Sequence, residues 1–398
     1  MTCLFLLPRH LSLFALLALI SDSIFYFIVM VRGERMRIRP TLKDLEEYKP
    51  GKLIKGAIKL SSNENPLGTS GQVITEIIEK IESGELDLSL YPWEGDEAEL
   101  KSAIAAYLEV EEDRIVIGAG IDGVLDTLVR IFMGEGDEGV IPIPTFSLYE
   151  SLIKIAGGTP RYVKREKDFS ISQDELISAC NDRTRMIFLA SPNNPTGNSI
   201  KEEDVHAIAA AVPETMVIID EAYAEFAPSS FSMVKHVRGD ENMNIVVLRT
   251  FSKAFALAGL RVGYAVVPKW LTGIYKRVAM PFSVNSIAIA AAIAALRDKE
   301  HLHNTVKLIR EGREFLIEHL QPFFTVFPSD ANFVLVDVSP AKSHAVYDAL
   351  LREGVVVRDC SSFRGAGDSL IRITVGTEEQ NMRVVNALKR IYKLFVMQ

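Results

Sequence analysis

Cysteine is scarce in this 398-residue chain: Cys3, Cys180 and Cys360 are the only three. They stand far apart with no metal-ligand spacing, which gives no basis for a cysteine metal centre and suits a reducing compartment. The seven histidines are scattered without a paired motif, so no metal site is expected. An excess of basic charge is also missing. The formal net charge of -8 disfavours polyanions, and nucleic acid is not an expected partner. Internal repeats and long disordered linkers are absent. With 48% hydrophobic residues the chain has material for a large α/β domain plus a smaller one.

What the sequence does carry centres on Thr250-Phe-Ser-Lys-Ala-Phe-Ala-Leu-Ala-Gly-Leu-Arg-Val-Gly-Tyr264, which sets Lys253 in an apolar run with Arg261 eight residues on. Apolar burial disfavours an ammonium, so such an amine is poised to condense with a carbonyl as a Schiff base. Two upstream clusters raise the odds of chemistry over a solvated, idle lysine. Ser191-Pro-Asn-Asn-Pro-Thr-Gly197 follows the apolar run Met186–Ala190, and Asp220-Glu-Ala-Tyr223 follows Met216–Ile219. Short apolar runs closed by turn residues read as interior strands of a parallel sheet, whose carboxyl ends are where open α/β sheets hold ligands. Ile245–Leu248 repeats the pattern before Ser252 and Lys253. The turn Gly118-Ala-Gly-Ile-Asp-Gly123 follows the strand-like Arg114–Ile117 and would open a helix, aiming free backbone N–H groups outward.

These segments, in this order, resemble a fold-type I pyridoxal-phosphate (PLP) aminotransferase of the aspartate aminotransferase superfamily, and within it the histidinol-phosphate aminotransferases. Leu60-Ser-Ser-Asn-Glu-Asn-Pro-Leu-Gly68, Leu90-Tyr-Pro92, Pro144-Thr-Phe146, Ser329-Asp-Ala-Asn-Phe333 and Ile371-Arg-Ile-Thr-Val-Gly-Thr377 extend the likeness from about residue 40 to the end. The resemblance implies Lys253 as the Schiff-base residue and Asp220 facing the cofactor's ring nitrogen, where a carboxylate favours the pyridinium. It implies Asn194 and Tyr223 on the ring oxygen and Phe146 stacked on the ring face. For the phosphate it implies Ser252, Arg261 and the backbone of Ile121 and Asp122, with Tyr91 reaching the phosphate of a neighbouring subunit in a homodimer. Each has a plainer reading. Asp220 could be a helix N-cap, Asn194 a turn former, and Tyr223 and Phe146 core residues. The family usually has a small residue at 121 and an acid at 123, where this chain has Ile121 and Gly123.

Substrate choice, by the same resemblance, rests on two arginines. Arg372, in the alternating strand Leu370–Gly376, matches the residue that grips the substrate α-carboxylate as a bidentate fork. Arg358, after Gly354-Val-Val-Val, matches the arginine that binds a substrate phosphate, with Tyr48 and Asn63 near the same end; strand-end charge, surface aromatic and turn former are their plainer readings. The loop from Asp359 to Ser369 departs from the family. The implied reaction is amino-group transfer between L-histidinol phosphate and 2-oxoglutarate in histidine biosynthesis, in the cytoplasm. An aromatic-amino-acid aminotransferase and a threonine-phosphate decarboxylase are near rivals. A non-catalytic PLP-binding sensor would carry a basic helix-turn-helix module ahead of this region, which the chain lacks.

The expected organisation is α/β: a large, mostly parallel PLP-binding domain over 80–285 and a smaller α+β domain over 286–398, to which the segment 36–79 contributes. Residues 286–325 read as helix, and 331–398 as strands plus a final helix. Residues 1–35 form an apolar extension. From Leu11 to Val31 it is long enough to span a bilayer, with Arg9 and His10 before it and Arg32, Arg35, Arg37 and Arg39 after it. Asp22 near its middle costs about 2.5–3.5 kcal/mol on an insertion scale, and no small-residue cleavage site is clear. The family likeness begins near Met36, which favours a start codon assigned too far upstream over a membrane anchor.

Overall fold

The computed structural model describes residues 39–395 except 44, 46, 48–50, 52, 238 and 240–243. Residues 1–38, with the Leu11–Val31 stretch, lie outside the described residues. The chain divides into two compact units, Met1–Leu45 and Glu46–Gln398. Of the first, the description covers one 3-10 turn, Pro40–Leu42, and its immediate neighbours. Among the described residues no helix is long and apolar enough to cross a membrane.

In the second unit the strands run β1 (Ile58–Lys59), β2 (Ile115–Gly118), β3 (Glu138–Ile143), β4 (Thr159–Lys164), β5 (Thr184–Ala190), β6 (Met216–Asp220), β7 (Ile245–Thr250), β8 (Gly263–Val266), β9 (Thr325–Phe327), β10 (Phe333–Asp337), β11 (Val355–Val356), β12 (Arg358–Asp359) and β13 (Leu370–Thr374). Seven of them form one sheet in the order β2-β8-β7-β6-β5-β3-β4. Only β8 runs against its neighbours, so the sheet is mostly parallel, as expected. The apolar runs at its centre are buried on both faces, which is why they do not alternate with polar residues. Their pleat divides them between two cores. Phe188, Ile218 and Val246 join the core with helices Gly120–Phe132 and Leu148–Ala156, while Ile187, Val217 and Val247 join the one with helix Glu202–Ala211.

A second sheet, β12-β13-β10-β9, is antiparallel and carries helices Lys299–Leu320, Ser343–Arg352 and Glu378–Phe395 on its core. β1 pairs in parallel with β11, so Ile58 and Lys59 sit beside Val355 and Val356. Three expectations change. The helical stretch after 285 breaks at Asp298, and its first part, Ser286–Arg297, packs its alanine face with Ile115, Phe251 and Tyr264 of the large sheet's side. Helix Gly71–Glu82 puts Val73 into that same core. Within 331–398 the segment Ser343–Arg352 is helical; its Val346, Ala349 and Leu350 all face the second core, an i, i+3, i+4 set that a helix brings to one side and a strand does not.

Asp298 marks the break because its carboxylate accepts from His301 N at 3.0 Å and caps the following helix. The same carboxylate takes the hydroxyl of Ser70, which in turn caps Gly71–Glu82 through Gln72 N at 3.1 Å. One side chain therefore fixes two helix starts. Asp298→Ala should lower unfolding stability by about 1–2 kcal/mol, read as a lower urea midpoint with an unaltered slope; an unchanged midpoint would show that the caps are redundant.

Candidate active site

The register of the large sheet decides which side chains meet. β5, β6 and β7 lie side by side with Ala190 level with Asp220 and Asp220 level with Leu248. The segments that leave these strands, Ser191–Gly197, Glu221–Tyr223 and Phe251–Lys253, therefore emerge at one edge. β8 enters the sheet there, since Gly263 pairs with Thr250 on one side and Gly118 on the other. Arg261 and the start of helix Gly120–Phe132 are thereby drawn to the same edge. They surround a cavity of about 380 Å³. Ile121, Asp122, Phe146, Asn194, Asp220, Tyr223, Ser252, Lys253, Arg261, Arg358, Arg372 and Asn63 all line it.

Lys253 lies in irregular backbone of bends and turns, with no α-helix beginning there. Its Nζ donates to the carbonyl of Ser62 at 3.1 Å and stands 5.8 Å from the centre of the Tyr223 ring. Burial, with the positive charge of Arg372 nearby, lowers its pKa to about 8. Asp220 is buried at the end of β6. Its carboxylate accepts from Tyr149 Oη at 2.6 Å and Ala222 N at 3.1 Å. Burial lifts its pKa to about 6 even though these two bonds oppose it.

Arg372 leaves β13 and is buried, donating to the side-chain oxygen of Asn194 and, at 2.7 Å, to the carbonyl of Ser61. Asn194 and Arg372, far apart in sequence, are thus direct partners. Asn63 lines the cavity and has partners that the sequence did not show. Its amide nitrogen donates to Tyr223 Oη at 2.9 Å, and its amide oxygen accepts from Thr374 Oγ1 at 3.0 Å. Both ends of this side chain meet protein groups, so it holds Tyr223 in place from within the cavity lining.

At the start of helix Gly120–Phe132 the backbone is bare of side chains where Arg261 crosses it. A Cβ on Gly120, itself at φ +71°, would stand 2.6 Å from Arg261 Nη2, and one on Gly263 would stand 2.5 Å from Ile121 N. Arg261 is aimed by Asp122, Oδ2 to Nη2 2.6 Å, and by Ser252, whose Oγ is 3.5 Å from Nη1. The first-turn N–H groups and a guanidinium converge here, which is the equipment for an anion. Around the whole cavity four cations, Lys253, Arg261, Arg358 and Arg372, face two carboxylates, Asp122 and Asp220. In a chain of net charge -8 this local excess selects an acidic ligand.

Arg358 reaches the cavity from β12, 5.3 Å from the ring of Phe363 and with Nη2 3.3 Å from Ser362 Oγ. Tyr48 lies outside the described residues. Tyr91 is not at the cavity. It is exposed and stacks on Phe282 with ring centres 4.6 Å apart. The expectation of unpaired histidines is corrected by the fold: Glu202 and His206, four apart on one helix, meet His236, with donor atoms within 4.8 Å of one another. Glu202 is paired with Lys235 at 2.7 Å, and its other oxygen lies 2.6 Å from Nε2 of His236, whose pKa burial lowers; the cluster lies away from the cavity.

The model of aminotransferase class I and II matches residues 55–388. This chain belongs to that family. It is 44% identical over 374 residues to the histidinol-phosphate aminotransferase of Methanosarcina mazei, covering 91% of this chain and 98% of the relative. To that of Methanococcoides burtonii it is 46% identical, covering 89% and 98%. Among solved structures, histidinol-phosphate aminotransferase from Sinorhizobium meliloti in complex with pyridoxal-5'-phosphate superposes with a TM-score of 0.81 at 26% identity, over 90% of this chain and 98% of that one.

Sequence reading assigned no role to four members of this aminotransferase cavity, Tyr149, Phe363, Ser61 and Ser62. Tyr149 looks like one more apolar position of an amphipathic helix, although it stands one helical turn after Phe146. Phe363 lies in the loop that departs from the family. The carbonyls of Ser61 and Ser62 carry no side-chain signal, and only the matched Leu60-Ser-Ser-Asn63 segment pointed to them. The lowered pKa of Lys253 yields a test. Its neutral amine dominates above pH about 8, whereas an ordinary lysine needs pH above 10.5. Labelling of Lys253 by a carbonyl reagent, followed by mass spectrometry across pH, should therefore show a midpoint near 8 that rises in Arg372→Met. A midpoint near the ordinary lysine value would refute the burial argument.

Proposed function

We propose that this aminotransferase moves an amino group between L-histidinol phosphate and 2-oxoglutarate, using PLP, as a cytoplasmic step of histidine biosynthesis. The cavity residues fit that cofactor. Asp220 is a buried carboxylate, lifted to about 6, that a cationic ring nitrogen would relieve. The bare glycine backbone at Gly120 and Gly263, beside Arg261, leaves room for a phosphate at a helix start. Lys253 supplies an amine whose pKa burial lowers to about 8, which brings its neutral form within reach near physiological pH. We assign the ring face to Phe146, the ring oxygen to Asn194 and Tyr223, and the phosphate to Ser252, Arg261 and the N–H groups of Ile121 and Asp122.

PLP, when bound, supplies an electron sink for the pair released at the substrate Cα. The protein's own part is orientation and proton handling. Arg372, fixed by Asn194 and Ser61, grips the substrate carboxylate. That grip leaves the Cα–H bond, and not the bond to the carboxylate, facing Lys253. The Nζ of Lys253 would take the Cα proton and hold it for return, a role that needs an amine neutral near working pH. Tyr149 keeps Asp220 aligned, and Asn63 does the same for Tyr223.

Arg358 in the cavity with Lys253 and Arg372 is the observation that carries the phosphorylated substrate. It provides a second cationic anchor, on the opposite sheet from Arg261, for an acidic group that an ordinary amino acid lacks. The relatives' names support the same choice. The exposed Leu90, Tyr91, Trp93, Met280 and Phe282 support a homodimer, with Tyr91 directed at the partner's cofactor phosphate; a single-chain mass in light scattering would overturn it.

Arg358→Ala should raise KM for phosphorylated donors by about tenfold or more, the scale of one lost charge-assisted anchor, and leave unphosphorylated donors near wild type. Equal loss for all donors would contradict the assignment. Lys253→Ala should abolish turnover. Carbon dioxide release without glutamate formation would instead identify a decarboxylase.

A further inference from the structure

We propose that Arg364 and Glu150 form a clasp that positions Arg358 and Phe363 for the phosphorylated end of the substrate; this rests on the phosphate role of Arg358 given above. The argument starts from how Arg358 is held. Its guanidinium is set by Ser362 and by the ring of Phe363, both in the loop that leaves β12. Phe363 lines the cavity and packs with Leu335, Cys360 and Leu370. The backbone of Arg358 is held by the pairing of β12 with β13, and this loop sets where its guanidinium points.

The next residue ties the loop to the other side of the site. Arg364 donates twice to Glu150, Nε to Oε2 at 2.9 Å and Nη2 to Oε1 at 3.0 Å, a paired geometry that fixes angle as well as distance. Its guanidinium also lies 4.6 Å from the ring of Tyr162 on β4. Glu150 sits on helix Leu148–Ala156 of the large sheet and takes Lys154 Nζ at 2.6 Å as well. Burial alone would raise the Glu150 carboxyl, yet the bonds from Arg364, Lys154 and Tyr162 outweigh it and hold the pKa at about 2. A carboxyl depressed in this way stays ionised throughout the neutral range and loses its pairing only as pH falls towards 2, so the clasp is closed wherever the enzyme works. The residue before Glu150 is Tyr149, which bonds Asp220. Consecutive residues of one helix thus brace the cofactor acid and the loop that carries the substrate arginine. Arg364 and Glu150 are absent from the cavity lining, so their influence is positional.

The test compares Arg364→Ala, Glu150→Gln and the swap Glu150→Arg with Arg364→Glu, alongside Arg358→Ala, in the PLP-loaded enzyme. Steady-state kinetics with L-histidinol phosphate should show KM raised about fivefold in each single variant, the equivalent of about 1 kcal/mol for a partly exposed pair. Turnover at saturation should stay within about twofold and KM for an unphosphorylated donor should not move, because nothing at Lys253 has changed. The swap should recover most of the loss, which a merely destabilised loop would not. If Arg358→Ala is selective for phosphorylated donors while both single variants keep wild-type KM, the clasp is refuted and the phosphate role stands. If Arg358→Ala shows no selectivity, the phosphate role fails and the clasp falls with it.

Discussion

The alignment of Ala190, Asp220 and Leu248 across three parallel strands is the constraint on which the site depends. Because these strands are apolar on both faces, each can carry polar chemistry only where it leaves the sheet, and the register makes all three leave at the same level. β8 adds Arg261 to that edge by running the other way, its first residue paired with the last residues of β2 and β7. A slip of one residue in any of these pairs would turn the interior side chains to the wrong core before it disturbed any catalytic group.

Electrostatics then gives the assembled groups their character. Burial makes Lys253 less basic and Asp220 more basic than either would be in water, so the two move towards the same range from opposite sides. Arg372 contributes to the first of these shifts and is itself held by the carbonyl of Ser61 and the amide oxygen of Asn194. It lines the cavity. By contrast, the buried Arg249 is paired with Glu221 and Glu225 and serves as an internal strut beneath the same edge.

Much of this was legible in the chain itself. The runs Met186–Ala190, Met216–Ile219 and Ile245–Leu248 announce interior strands by unbroken apolarity, and the polar clusters that follow them announce the site. Side-chain partners formed across long stretches of sequence were not legible. Asn63 and Thr374 meet because β13 delivers Thr374 next to Leu60, whose carbonyl accepts its N–H. Nothing local to either residue reports that. The helix Ser343–Arg352 was hidden for another reason: its valine, tyrosine and leucines suit a strand as well as a helix, and only the shape of the core they fill decides between them. At Asp298 the reverse holds, since its neighbours are good helix formers and the break comes from a carboxylate capping a new start.

The short helix Leu148–Ala156 has a wider consequence. Tyr149 points inward to the buried carboxylate of Asp220, while Glu150 faces the loop that follows β12. The inner contact restrains the helix from drifting, and the outer one is open to change. A lineage could exchange its loop, and with it the size and charge of the donor it prefers, against a support that the cofactor chemistry keeps still. Selectivity would then evolve at the rim of this enzyme without cost to its reaction.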